Sequence, residues 1–460
     1  MSLRYLFVDF NSYFASVEQL DEAALRGRPV AVVPVDSEGT CCIAASYQAK
    51  AFGVKTGTSV AEARQRCPEI VFRLARPARY VALHHELMEL IGSCIPHETP
   101  ASIDEVACPL LANERSVEAA TAIARQIKQA LHQRCGDALT CSIGIAPNRF
   151  LAKTAADMQK PDGLTVLQAG DLPSALHRLE LDALCGIGPS MLRRLHAAGI
   201  SRTDQLCAAS PRQLRAIWGG IGGERFWADL HGIDTPLRTT QTQSIGHSHV
   251  LGPDLRSITG ASAVAAKLLA KAAMRLRRGG WLATSLHLNV RLTGREERLE
   301  TGCRFAGLDD SRQLLQLLRQ LLEPLPGLVR GRCQPLSVSV TLGGLCQAAE
   351  TVPDLFQDGR QQRQRALNQV LDAINQRYGH NTLYFGAAQP AVAAGAAPMR
   401  IPFSVIPDVA AEDEASAHPL WQQAHNHFNV VAEARHRQRR LDATGPVAEG
   451  LPSTNARLLP

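Results

Sequence analysis

The chain has 460 residues, 45% of them hydrophobic and 20% charged, with 12 cysteines and a formal net charge of +6. That length exceeds one typical compact core and predicts two to four domains with the ordinary balance of a soluble globular protein. No apolar run reaches membrane-span length, no signal peptide is visible and the cysteines contain no CxxC pair. A membrane protein, a zinc finger and a redox motif are therefore not expected, and a cytoplasmic protein with reduced thiols is. The pI near 8.8 is only mildly basic, so nucleic-acid binding depends on where the charge sits.

Residues 5–8 are a short apolar, β-prone run that reads as a buried strand ended by Asp9. Asn11-Ser12 then offers an N-cap to a helix carrying Phe14, Val17 and Leu20. A carboxylate at a strand's end followed by free helix N–H groups suits a metal and a phosphate chain together. Residues 29–34 and 40–45 read as two strands, with a short helix about residues 47–52. Residues 83–95 and 116–131 have the apolar spacing of helices, Pro96 being a stop signal. Between them, Asp104-Glu105 lies in a short β-prone segment, where neighbouring side chains point to opposite faces. With Asp9 they still make three carboxylates, the hard oxygen ligands that two Mg²⁺ ions need for in-line phosphoryl displacement. Residues 139–145 read as a strand and 147–158 as a helix, just before a QKPDG turn with Lys160. Strand–helix–strand, twice over, fits a ferredoxin-like α+β layer.

The segments VDFNSYFASVE (8–18), AASYQAKAFGVKTG (44–57), SIDEVA (102–107) and CSIGIAPNRFLAKTAADMQKPDG (141–163) stand in a telling order and spacing. Together they resemble the Y-family, lesion-bypass DNA polymerases of the DinB and UmuC kinds, over roughly residues 1–390. The resemblance implies an α+β multidomain fold: a ferredoxin-like palm (1–20 and 77–163) with a fingers insertion (21–76), and a helix–hairpin–helix thumb (164–234). A linker (235–243), a β-α-β-β-α-β little finger (244–346), a clamp-binding or UmuC-like extension (347–390) and a mostly disordered tail (391–460) follow. It implies that Asp9, Asp104 and Glu105 are catalytic and, with Phe10, hold two Mg²⁺ ions. Phe14 takes the position of the ring that excludes a ribose 2′-hydroxyl, with Tyr13 beside it. Tyr47, Lys50 and Lys160 meet the incoming triphosphate, and Cys42, Ile43 and Ala44 roof the template base. Many members have Arg where this chain has Lys50, which keeps the charge but loses the bidentate fork. Taken singly, Lys50 also reads as a solvated helix charge, Lys160 as an exposed turn lysine and Phe14 as an apolar helix residue.

Residues 185–200 form a helix–hairpin–helix pattern in which Gly186 and Gly188 allow a tight turn, its N–H groups facing a DNA phosphate, with Arg193 and Arg194 after it. Residues 219–223 suggest a similar second turn. Residues 285–292 and 335–342 alternate as half-buried strands, the first with His287, Asn289 and Arg291 outward. Helices at about 257–278 and 310–322 complete the β-α-β-β-α-β pattern. Residues 235–345 hold 15 Lys/Arg against 7 Asp/Glu, an excess above that of the whole chain. It reads as a solvated basic face or, on the resemblance, as a grip on the DNA backbone. Residues 352–356, ending in Leu355-Phe356, resemble a sliding-clamp peptide without its leading Gln, and residues 363–385 look UmuC-like. The histidines at 418, 425, 427 and 436 lack a coherent ligand spacing.

The expected function is template-directed DNA synthesis past lesions, in DNA repair and the SOS response. The expected partners are primer–template DNA, deoxynucleoside triphosphates, a sliding clamp and UmuD-like or other accessory subunits, with no membrane. Two other readings stand beside it. A non-catalytic recruitment protein would keep the fold and lose the acids; a nucleotide cyclase would share the two-metal layer and need no DNA-gripping region.

Overall fold

Leu6, Phe7 and Val8 build β1 (Tyr5–Phe10), and its continuous apolar run is buried on both faces. The computed structural model describes residues 2–235, 242–294, 298–330, 333–350 and 359–414. It divides into two units, Met1–Leu355 with Gly386–Glu412, and Phe356–Phe385 with Asp413–Pro460. Asp9 lies inside β1 rather than closing it. Ser12 occupies the N-cap position of α1 (Tyr13–Asp21), but at φ 48° it makes no capping bond. The cap expected from Asn11-Ser12 does not form, because the left-handed turn aims the Ser12 hydroxyl away from the helix and toward Lys50.

In the region expected as fingers, β2 (Val30–Val33), β3 (Ala44–Ala45), α2 (Tyr47–Lys50), α3 (Val60–Arg66) and β4 (Val71–Leu74) follow. The strands form a sheet in the order β3-β2-β4. The strand expected over 40–45 shrinks to two residues. The Cys42 backbone bonds instead to Thr58 and Gly57, which leaves Cys41 only a single bridge to Ser59. Ser46 and Ser59 cap α2 and α3 by accepting from the third residue on.

The sheet that begins with β1 is completed by α4 (Pro77–Cys94), β5 (Glu105–Pro109), α5 (Val117–Cys135), β6 (Cys141–Ala146), α6 (Arg149–Met158) and β7 (Leu164–Val166). Its strand order is β5-β1-β6-β7, antiparallel except for the last pair. Helix α4 starts well before residue 83, since Pro77 at the first turn lacks only an N–H that would be unbonded anyway. Leu83, Leu87 and Ile91 of α4 and Ile127 and Leu131 of α5 share one core with Leu6, Val8, Ile143 and Ile145 of the sheet. Burial of each such side chain contributes about 1.5–3 kcal/mol. Gly144 brings α6 onto the sheet: a Cβ there would lie 2.0 Å from the Ala152 carbonyl oxygen and 2.3 Å from the Ala156 nitrogen.

Four short helices follow, α7 (Pro189–Ala197), α8 (Thr203–Ala208), α9 (Pro211–Trp218) and α10 (Gly222–Leu230). The first arm of the hairpin expected at 185–200 is only a 3-10 turn, Leu181–Ala183. The second glycine stretch carries the fuller two-helix hairpin. Gly219 ends α9 at φ 76°, and a Cβ on Gly223 would meet the Leu214 carbonyl oxygen at 2.1 Å.

A third sheet is built from β8 (Ser244–Val250), α11 (Ile258–Arg278), β9 (Trp281–Leu292), β10 (Arg298–Leu308), α12 (Ser311–Leu322), α13 (Leu325–Leu328), β11 (Pro335–Gly343) and β12 (Cys346–Gln347). Its order is β10-β9-β11-β8, with β12 also pairing β9. Leu286, Leu288, Val290 and Leu292 of β9 are buried while His287 and Arg291 are exposed, the alternation expected of a sheet covered on one face.

In the second unit, α14 (Gly359–Tyr378) is closed by the Asn375 side chain, which bonds both backbone groups of Leu383. Back in the first unit, residues 386–412 carry α15 (Gln389–Ala393) and α16 (Val409–Glu412). The first part of the tail expected to be mostly disordered over 391–460 is therefore structured, while residues 415–460 lie outside the described residues. The alanines are small enough to lie close on α11, and Met399, Ile401, Ile406 and Val409 supply apolar anchors that the Ala/Gly/Pro-rich composition obscures. Most of the expected linker, the clamp-like Leu355-Phe356 and the four later histidines lie outside the described residues. Among the described residues no helix is long and apolar enough to cross a membrane.

Candidate active site

The antiparallel register of β1 and β5 sets Asp9 opposite Glu105, and the Phe10 N–H donates to the Asp104 carbonyl at 2.9 Å. All three acids thus meet at one end of the sheet. They line a cavity of about 350 Å³ together with Phe10, Ser12, Tyr13, Phe14, Tyr47, Lys50 and Lys160. That volume is enough for a small-molecule ligand, since such sites begin near about 300 Å³. Ile43 and Ala44 line the same cavity from the second sheet, whereas Cys42 is buried in the core behind it.

Each cation here has a defined acceptor. Lys160 Nζ lies 2.7 Å from Asp9 Oδ2 and 2.7 Å from Asp157 Oδ1. Lys50 Nζ donates to Ser12 Oγ at 2.7 Å and sits 4.4 Å from the centre of the Tyr47 ring. Lys153, on the helix that Gly144 admits, pairs with Glu105. Sequence reasoning missed Lys153, although its spacing to Asp157 and Lys160 is that of one helix face. Burial pushes the Asp9 carboxyl up to about 7 in spite of the Lys160 ammonium beside it. Burial likewise raises Asp104, against the 2.6 Å bond its Oδ1 accepts from Ser102 Oγ. For Lys160, burial is outweighed by the Asp9 and Asp157 charges, which hold its proton above the ordinary lysine range. Lys50 moves the other way, through burial and the Lys160 charge.

The turn bearing Lys160 is fixed by Asn11. Its Oδ1 accepts from the Asp162 N–H at 2.8 Å and from Thr140 Oγ1 at 3.0 Å, while its Nδ2 donates to Ser142 at 3.1 Å. Sequence reading assigned Asn11 to a helix cap; it is a brace between β1, β6 and the lysine turn. The Phe14 ring stacks on Tyr80 at 4.5 Å, and the Tyr13 hydroxyl is spent on the Tyr80 carbonyl at 2.7 Å. Phe14 therefore presents a ring to the cavity, and Tyr13 sends its polar end into the core. Phe403 also lines the cavity, with no sequence signal that could have placed it there.

Gly186, Gly188, Arg193, Arg194 and Arg291 do not join this pocket. Gly186 turns at φ 92°, the Gly188 backbone has open space over it, and the three arginines are exposed.

The donor set suits a hard cation such as Mg²⁺: three carboxylates and a strand-end carbonyl, with burial raising the pKa of two of the acids. Among the described residues no group of three or more acids, histidines or cysteines is arranged to hold a metal ion. Lys160 and Lys153 stand in the places where positive charge is called for.

Residues 8–157 match the impB/mucB/samB family, and residues 242–355 match the C-terminal domain of that family. DNA polymerase IV of Moorella thermoacetica is 33% identical over 393 residues, covering 82% of this chain and 94% of that one. The chain belongs to the Y family of DNA-directed DNA polymerases, of the DinB kind. DNA polymerase IV of Pelotomaculum thermopropionicum is 32% identical over 398 residues, covering 82% of this chain and 93% of that one. Among solved structures, the Y-family DNA polymerase chimera Dbh-Dpo4(243-245)-Dbh superposes with a TM-score of 0.62 at 25% identity, over 75% of this chain and 99% of that one. For a Y-family member the mixed α+β architecture with several sheets is that of palm, fingers, thumb and little finger.

Proposed function

We propose that the pocket performs template-directed nucleotidyl transfer in translesion DNA synthesis, using Asp9, Asp104 and Glu105 with the Phe10 carbonyl to hold two Mg²⁺ ions. The observation that carries this reading is the convergence of three carboxylates, two lysines and the Phe14 ring on a single cavity. When bound, the metal lowers the pKa of the primer 3′-hydroxyl and neutralises the leaving pyrophosphate. Lys160, Lys50 and Tyr47 bind the triphosphate, and Asn11 holds the Lys160 turn at a fixed distance from the acids. Lys160 and Lys153 neutralise Asp9 and Glu105, the carboxylates that would hold the cation. Phe14 packs beneath the sugar, and Ile43 and Ala44, of modest bulk, leave room above a damaged template base.

Primer extension by the purified chain on normal and abasic templates tests the reading. Mg²⁺-dependent extension past the abasic site is expected; a chain that binds DNA and adds nothing to either template would leave only the recruitment role. The DNA partner is held by the exposed basic face of the third sheet and the glycine turns of the thumb. A sliding clamp, bound through Leu355-Phe356, rests on the sequence resemblance, and replacing both by Ala should abolish co-elution with the clamp. UmuD-like accessory subunits are proposed on the same basis.

A further inference from the structure

Residues 386–412 form a strap between the little finger and the palm. On one side, Lys267 donates to the Ala396 carbonyl at 2.6 Å, Lys271 to the Ala397 carbonyl at 2.7 Å, and Arg278 pairs with Asp408 at 2.6 Å. On the other, Met399 is buried in the palm core, with Ile401, Ile406 and Val409 packed against it. Between these anchors the Phe403 carbonyl accepts from the Ile103 N–H at 2.9 Å, one residue before Asp104. The Phe403 ring then lies 5.6 Å from Phe14 at an angle of 57°. Phe14 is thus enclosed between Tyr80 and Phe403 and is only 4% exposed, whereas Phe403 is 48% exposed in the same cavity.

We propose that Phe403 is a sugar-side specificity residue of the nucleotide pocket, forming with Phe14 a two-ring wall against the C2′ position of the incoming nucleotide. The proposal rests on the polymerase reading above. Phe14 alone offers little free surface, so the apolar area that a sugar meets belongs largely to Phe403. The cavity keeps about 350 Å³ with the ring in place, which fits a wall rather than a plug. The bonds to α11 hold the strap on both sides of Phe403 and the bond from Ile103 holds Phe403 itself, and a wall rejects a hydroxyl only if it cannot yield.

Single-nucleotide insertion opposite template dG, with dCTP and with CTP, is measured for the full chain and for Phe403→Ala and Phe403→Leu. An apolar pocket rejects an added hydroxyl about 100-fold, so losing one of two rings should raise relative CTP efficiency about tenfold in the Ala variant, with dCTP efficiency within about threefold. The Leu variant, which keeps apolar cover over Phe14, should fall between. An unchanged ratio in both variants would overturn the proposal. So would a parallel rise with both nucleotides, which would make the ring a plug, or a parallel fall, which would make it a prop for Asp104. Displacement of a fluorescent triphosphate by dCTP and CTP, in Mg²⁺, reads the same preference without chemistry. If the wild type binds dCTP preferentially, loses that preference in Phe403→Ala and yet extends no primer, the polymerase reading fails alone. If it extends with an unaltered ratio, the Phe403 assignment fails alone.

Discussion

The palm pocket and the open face of the little-finger sheet use similar cations in opposite ways. In the pocket each lysine ends on a named partner: Lys160 on Asp9 and Asp157, Lys153 on Glu105, Lys50 on Ser12. On the sheet, Arg291 and Arg304 are exposed and, among the described residues, pair with no acid. Charges fixed to within a bond length suit chemistry, which needs one geometry. Unpaired surface charges suit a polyanion whose phosphates pass in many registers, because their binding comes from counterion release and not from aim. Total charge, only mildly basic here, carries little information until it is divided by environment.

Asp104→Ala should reduce extension by about 10³-fold or more while DNA affinity in an anisotropy titration stays near wild type. Comparable extension would remove Asp104 from the chemistry. Next in size, Phe14→Ala should raise ribonucleotide use relative to deoxynucleotide by about 100-fold, the discrimination an apolar pocket attains against a hydroxyl. Insertion kinetics with paired dNTP and NTP substrates measure it. Unchanged discrimination would place the gate elsewhere on the wall.

Much of this contrast was legible in the residues. The acids, the lysine turn and the ring at 14 stood in local motifs, and β9 announced its covered face by strict alternation. Contacts that depend on two distant segments were not legible. Asn11 has the chemistry of a cap, and only the approach of β6 and the 160–163 turn makes it a brace. Lys153 reaches Glu105 because Gly144 admits α6, a steric fact about a pair of elements. The strap was hidden for a compositional reason: its alanines and glycines look like low-complexity chain until α11 is beside them. The glycines of 186–188 and of 219–223 both read as hairpin turns, and only packing shows that two full helices flank the second while a 3-10 turn precedes the first.

The third sheet also has buried cationic side chains packed on it, Lys267 among them. Burial, with the Lys271 and Arg275 charges, holds His247 down at about 2, and its Nδ1 has no partner among the described residues. Burial and Lys267 hold His249 at about 4, where its Nε2 accepts from the Ala397 N–H at 3.3 Å as a neutral ring must. Both folded values lie below the ordinary 6.5, so the unfolded chain binds more protons below that pH. Their neutral burial is fully tolerated above about 6.5, and stability falls as pH drops from there toward 4, by up to about 1.4 kcal/mol per unit for each histidine. Thermal unfolding at pH 7.5 and 5 should show the loss, and His247→Leu should flatten its slope. A slope that the substitution leaves intact would mean the ring titrates freely.

The smallest effect tests the open face itself. Arg291 and Arg298 lie directly opposite each other on β9 and β10, both exposed, but Arg298 pairs with Glu300 at 2.8 Å. If unpaired charge is what grips the backbone, the two should not be equivalent although they occupy one spot on the sheet. Arg291→Ala removes a cation whose counterions are displaced by DNA, so the log–log salt slope of binding should fall by about 1. At moderate salt that is a loss of only a few-fold in affinity. Arg298→Ala removes a charge already balanced by its neighbour and leaves Glu300 facing the phosphates, so affinity should fall with little change in slope. Anisotropy titrations of labelled primer–template across a salt series separate the two outcomes. Equal slopes for both variants and the wild type would make this a solvated face, with DNA held elsewhere, and the glycine turns at 186–188 and 219–223 would be the next surface to probe.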